Sequence, residues 1–188
     1  MKQKRKWNEN GFTLIELVVS AAILGLVILT AMGLMVASAR TYSSVTYTLR
    51  LQYESQLAMA QLQEAILDCN GGIVWDDETL YVLDTDSENP DNDMLRIFRY
   101  DSASQCIYYG NNSPQAASLS SDDLLAEHVS ALSVSFPDGT DEGYVKSVKM
   151  EISLQRQNKT YTGTQTLALR NVPLTAAGVS DLLAAVYP

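Results

Sequence analysis

Glu16 is the residue whose type and position most need a chemical explanation. It stands in Gly11-Phe12-Thr13-Leu14-Ile15-Glu16-Leu17, at the head of an apolar run that continues to Ala39. A charge placed deep in lipid costs roughly 2.5–3.5 kcal/mol on insertion scales, so an ionisable group there ordinarily marks function. Burying a carboxylate that has no partner is strongly unfavourable. The plainer alternative is a carboxylate that stays at the membrane interface and reaches headgroups or water.

Other candidate chemistry lies further along. Cys69 and Cys106 are the two cysteines. An even pair in an exported region favours a disulfide, here from a helix end to a strand, with two buried thiols as the alternative. No Cys-x-x-Cys or Cys/His spacing suits zinc. Asp84, Asp86, Glu88, Asp91 and Asp93 gather carboxylates in one loop, and calcium takes such oxygen ligands. An EF-hand would want Gly where Asn89 stands and a bidentate acid where Leu95 stands, so a solvated acidic loop fits better. His128 is the one histidine, and any hydrolytic triad would have to be built around it. Gly71-Gly72 lacks the context of a phosphate loop. Neither catalysis nor a cofactor is expected.

The elements that must position these groups begin with a basic leader. Lys2, Lys4, Arg5 and Lys6 face only Glu9 before Gly11, a net +3 in a chain of net −9, which leaves −12 beyond the leader. A basic tip on an acidic body implies different surroundings for the two. The acidic body is a poor match for a phosphate backbone, so nucleic acid is not favoured as a partner. Leu17 to Ala37 contains neither a charge nor a proline, and these 21 residues suffice to cross a bilayer as a helix. The leader's charge keeps the N-terminus cytoplasmic and exports the rest. A cleaved secretory signal is the competitor, with Ala37-Ser38-Ala39 as its site, but its apolar core would be shorter.

The basic leader ending in Gly11, then Phe12-Thr13-Leu14-Ile15-Glu16 and an unbroken apolar run, resembles the N-terminus of type IV pilin-like proteins, including the pseudopilins of type II secretion systems. The resemblance implies cleavage between Gly11 and Phe12 by a prepilin peptidase and N-methylation of the new Phe12 amine. It also implies that Glu16 pairs with the Phe12 amine of a neighbouring subunit and sets the axial register. Gly11 suits the position before the cut, since a missing side chain lets a protease approach the backbone. Many major pilins carry a proline where this chain has Gly33.

Helix-breaking signals are sparse from Phe12 to Asp68, and Asn70-Gly71-Gly72 supplies a stop. Past Arg40 the helix is amphipathic. Arg50, Glu54, Gln61, Glu64 and Asp68 share one side, while Val45, Leu49, Leu51, Met59, Leu62, Ile66 and Leu67 occupy much of the rest. Strands are expected at Thr79–Leu83, Met94–Tyr100, Gln105–Tyr109, Val129–Phe136, Tyr144–Arg156 and Thr160–Leu169, with turns at Asp101–Ser104, Pro137-Asp138-Gly139 and Gln157-Asn158-Lys159. They form an antiparallel sheet with one buried face packed on the amphipathic helix, an α+β fold. The divisions are a leader (1–11), a membrane half-helix (12–39), an amphipathic half-helix (40–70), a β domain (71–173) and a tail (174–188). In the tail, Val179–Val186 is a short helical candidate that caps the domain or dangles. The strand-rich body followed by Leu169-Arg170-Asn171 also resembles J-type minor pseudopilins.

The expected function is structural, not enzymatic. The chain reads as a minor pilin-like subunit in the cytoplasmic membrane, single-pass, with its C-terminal domain extracytoplasmic, built into a short filament or its tip. The resemblance implies other pilin-like subunits, a prepilin peptidase, an assembly platform and a motor ATPase as partners. A minor subunit of a type IV or competence pilus is the alternative within the class. From another class, the alternative is an exported binding protein or hydrolase that merely keeps an N-terminal anchor.

Overall fold

The computed structural model describes residues 13–116, 118–137 and 143–188. Helix α1 spans Leu14–Asp68. Two compact units divide the chain at Thr46/Tyr47. In the first, the helix is lipid-like on every side: an apolar window long enough to cross a membrane has none of its residues buried. Its few polar side chains satisfy themselves along the helix, Ser20 Oγ donating to the Leu17 carbonyl at 3.0 Å and Thr30 Oγ1 to Val27 at 2.8 Å. Such internal pairing is what hydrocarbon surroundings demand.

In the second unit α1 becomes one wall of a core. Leu51, Ser55, Ala58, Met59, Leu62, Ala65 and Ile66 are buried, spaced three or four apart as one helix face requires. Eight strands follow: β1 (Gly72–Asp76), β2 (Thr79–Asp84), β3 (Met94–Asp101), β4 (Cys106–Asn112), β5 (Asp123–Ala126), β6 (Val129–Ser135), β7 (Ser147–Arg156) and β8 (Lys159–Ala168). The α+β architecture expected from the sequence is present, with every strand pair antiparallel. The single sheet is not. The strands divide into a five-stranded sheet, β1-β2-β3-β4-β5, and a three-stranded sheet, β6-β7-β8. The chain passes between them at Glu127-His128, where His128 has φ 62°. That left-handed corner turns the backbone out of the first sheet.

Nor is only one face of the larger sheet covered. Leu80, Val82, Phe98 and Ile107 pack in the core cluster that contains Leu62 and Ile66 of α1, together with Val148, Met150 and Ile152 of the smaller sheet. The opposite face carries Val74, Leu83, Leu95 and Ile97, and helix α2 (Val179–Val186) covers them with a fully buried Leu182. The tail therefore caps the domain. Gly72 makes this possible, since a Cβ there would lie 2.4 Å from Leu182 Cδ1. The phenol of Tyr187 donates to the buried carboxylate of Asp93, fastening the end of the chain to the start of β3.

Each hairpin has its own turn chemistry. Asp77 (φ 44°) and Glu78 (φ 58°) form the two-residue β1–β2 turn, the left-handed pair that matches strand twist. At the β3–β4 turn Asp101 accepts from the Ala103 amide at 2.9 Å and from the Ser104 hydroxyl at 2.9 Å. The Ser104 bond is the main cause holding that carboxyl below the usual carboxylate range.

Candidate processing and assembly site

Gly11 and Phe12, the expected cleavage residues, lie outside the described residues. The described chain begins at Thr13, immediately before α1. The Glu16 amide donates to the Thr13 hydroxyl at 3.3 Å, and that hydroxyl donates to the Glu16 carboxylate at 3.5 Å. A Thr followed three residues later by Glu at a helix start is the capping-box pattern, in which the hydroxyl satisfies an amide that the helix leaves unpaired. The carboxylate also sits in the first turn, where the positive end of the helix dipole favours it. The sequence reading missed this, although Thr-x-x-Glu ahead of an apolar run was its signal. Glu16 is exposed and shares a shallow groove with Ile15, Val19, Ser20 and Ile23. In the isolated chain Glu16 thus has a local partner while its carboxylate stays reachable from outside.

Gly25 and Gly33 present open space to one side, with no atom within 4 Å of a built Cβ. Each is four residues from Ala21 or Ala37, the spacing that permits close helix approach in lipid. Farther along α1, in the second unit, Leu49 (58% exposed), Tyr53 (68%) and Leu57 (45%) remain outside the core. The β domain thus covers only part of the apolar circumference read from the sequence, and Leu49 is a residue it leaves out.

The two cysteines are free thiols, which corrects the expected bridge. Cys69 is buried, its thiol donating to the Gly72 carbonyl at 3.2 Å and lying 3.5 Å from that of Leu83. Leu83 pairs with Leu95, and Leu95 with Asn112. Cys106 stands at the other end of β4, paired with Asp101. Six strand residues separate the two positions along the sheet, about 20 Å at ~3.3 Å per residue. A disulfide needs Cα atoms within roughly 7 Å. Burial is the main cause that pushes the Cys69 thiol up to about 12.

The acidic loop does not assemble a cation site either. Asp86 accepts from the Glu88 amide at 2.9 Å and the Asn92 side chain at 3.1 Å, and the Asn92 bond is the main cause of its lowered pKa. Asp93 accepts from the Asp86 amide at 2.7 Å. Arg96 sits 3.7 Å from Asp84. Burial raises the Asp84 carboxyl more than that guanidinium lowers it. Glu88 and Asp91 are exposed. Among the described residues no three His, Cys, Asp or Glu side chains gather as a metal-holding group. His128, the histidine considered for a triad, is half-buried at the corner between the sheets.

Residues 8–32 match the family model described as the prokaryotic N-terminal methylation motif. The match covers part of the leader, the Gly11-Phe12 junction, Thr13, Glu16 and the first stretch of α1, and it supports a place among type IV pilin-like proteins. No curated protein and no solved structure matches the chain.

Proposed function

We propose that the chain is a minor pilin-like structural subunit of a type II secretion-like system, a pseudopilin. It is cut between Gly11 and Phe12 by a prepilin peptidase, N-methylated at Phe12 and assembled into a short filament or its tip. The observation that carries this reading is the methylation motif at residues 8–32, coinciding with the start of a helix whose apolar flank is wholly exposed.

In this reading the leader's positive charge keeps the N-terminus cytoplasmic while the domain after α1 is exported. The exposed apolar helix holds the subunit in the membrane and later packs on its neighbours. Glu16 exchanges its local Thr13 hydroxyl for the Phe12 ammonium of an adjacent subunit, which fixes the axial step. The role is assembly, not catalysis. An assembly platform and a motor ATPase supply the work from outside the chain.

Mass spectrometry of the mature N-terminus tests the proposal. A chain that begins at N-methyl-Phe12 is expected. An intact Met1, or a start near Thr41, would return the chain to the class of anchored or secreted binding proteins. Incorporation into secretion filaments, as opposed to type IV or competence pili, is tested by which assembly machinery co-purifies with the processed chain.

A further inference from the structure

Charge is sharply divided within the β domain. From Asp76 to Glu127, which spans nearly all of the five-stranded sheet, twelve carboxylates stand against two arginines, a net −10. From Gly143 to Ser180, which includes the β7–β8 hairpin, Lys146, Lys149, Arg156, Lys159 and Arg170 face only Glu151, a net +4. The cations bracket the free edge of β8, with Arg156 and Lys159 at the hairpin end and Lys146 and Arg170 at the other.

That edge lacks the usual protection. Proteins blunt an exposed edge strand with charge, proline, a bulge or short length. β8 keeps ten consecutive pairs with β7 without a register shift. Between Lys159 and Arg170 it holds neither a charge nor a proline. In a two-residue hairpin the closing pair, here Arg156 and Lys159, exchanges both its bonds across the ladder. Thr160, Thr162, Thr164 and Thr166 therefore direct their backbone N–H and C=O groups outward, where no strand pairs with them among the described residues. At the far edge of the larger sheet, β5 is likewise unpaired on one side, with Asp122 and Asp123 at its start, Glu127 just past its end and Leu124 52% exposed.

We infer that β8 is a docking edge for a second copy of this chain, whose acidic β5 edge adds to the smaller sheet beside the Thr160–Thr166 row. The contact joins two different surfaces, so it repeats from copy to copy and does not close on itself. Self-pairing of two β8 edges is disfavoured, because it brings Lys159 and Arg170 of one copy towards those of the other, and like charges across an interface are costly. The inference extends the filament-subunit reading and rests on it for its purpose. The contact itself is measured without reference to Phe12 processing.

The test uses the full chain, one copy per phosphatidylcholine nanodisc, so that membrane helices cannot meet and association reports the exported domains. Sedimentation is expected to show association that weakens with added salt. Lys159→Glu with Arg170→Glu, and separately Asp122→Lys with Asp123→Lys, should each weaken it at least about tenfold. Mixing the two double variants should restore association, because the two intact faces pair and the two reversed faces are again opposite in charge. Thr164→Pro removes an outward N–H while leaving the β7 ladder whole, and should also abolish association. No association of the wild type, indifference to either charge pair, or failure of the mixture to recover would overturn the inference. So would binding that requires anionic lipid in the disc, which would make the basic hairpin a membrane surface. N-methyl-Phe12 found in the cell alongside any of these results would leave the subunit reading standing.

Discussion

The Thr13 hydroxyl accepts from the Glu16 amide at 3.3 Å and donates to the Glu16 carboxylate at 3.5 Å. The Glu16 side chain therefore serves two separable purposes, completing the start of α1 and offering a charge. Glu16→Gln distinguishes them, since Gln also completes a capping box but carries no charge. If register depends on charge, Gln and Ala should lower filament incorporation equally while export and folding persist. Wild-type incorporation by the Gln variant would leave only the capping role. Thr13→Ala should cost the helix start about 1 kcal/mol with incorporation retained.

Cys69 and Cys106 should differ in reactivity. Brief alkylation of the native protein at pH 8 is expected to modify half-exposed Cys106 and spare Cys69, with both reacting once the chain is unfolded. Intact mass under non-reducing conditions should show no linkage between them. The folded Cys69 thiol lies near 12 against an ordinary value of 9.0. Native protein thus binds more protons than unfolded protein between those values. This thiol's contribution to stability is complete below pH 9 and is lost as pH rises towards 12. Alkaline denaturation of Cys69→Ala should show a shallower slope in that window.

Gly110→Ala should be among the most damaging small substitutions. A Cβ there would lie 2.0 Å from the Ser120 carbonyl oxygen. The strap leading into β5 is also held by Asn112, which donates to that carbonyl at 2.8 Å and accepts from the Ser120 amide at 3.0 Å. Backbone must shift, so a loss of about 1–3 kcal/mol is expected in urea unfolding. A neutral result would show that the strap is not seated on β4.

The β1–β2 turn offers a gain. Glu78 holds φ 58°, a conformation that glycine adopts without penalty. Glu78→Gly should stabilise the domain by about 0.5–1 kcal/mol, after the added freedom of the unfolded chain is counted. A lower melting temperature would contradict this account of the turn.

Strands with one covered face were readable because their side chains alternate. Val148, Met150, Ile152 and Leu154 are all buried in β7, as period two requires. Gly72–Asp76 went unread because Ile73 and Val74 are buried in different clusters on opposite faces, which removes alternation. Asp123–Ala126 is only 4 residues long and gives no period to detect. The separation into two sheets depends on the corner at His128, and no propensity announces that a histidine will take φ 62°. At the candidate site the motif was legible from residue types, whereas the Thr13–Glu16 cap was hidden by attention to lipid. The disulfide failed because sequence shows that two thiols exist but not that a strand's length lies between them.

Leu182, seated over Gly72 with Leu174 bridged to that same glycine, has a bearing on biogenesis. Ile73 also donates its amide to the Leu174 carbonyl at 2.8 Å, so the first strand is completed by residues made long after it. A chain that lacks the segment from Leu174 to Tyr187 exposes Val74, Leu83, Leu95 and Ile97. Folding is thereby ordered: the second face of the larger sheet closes only once the Leu174–Tyr187 segment is in place, and a product cut short before Leu174 carries an uncovered apolar sheet.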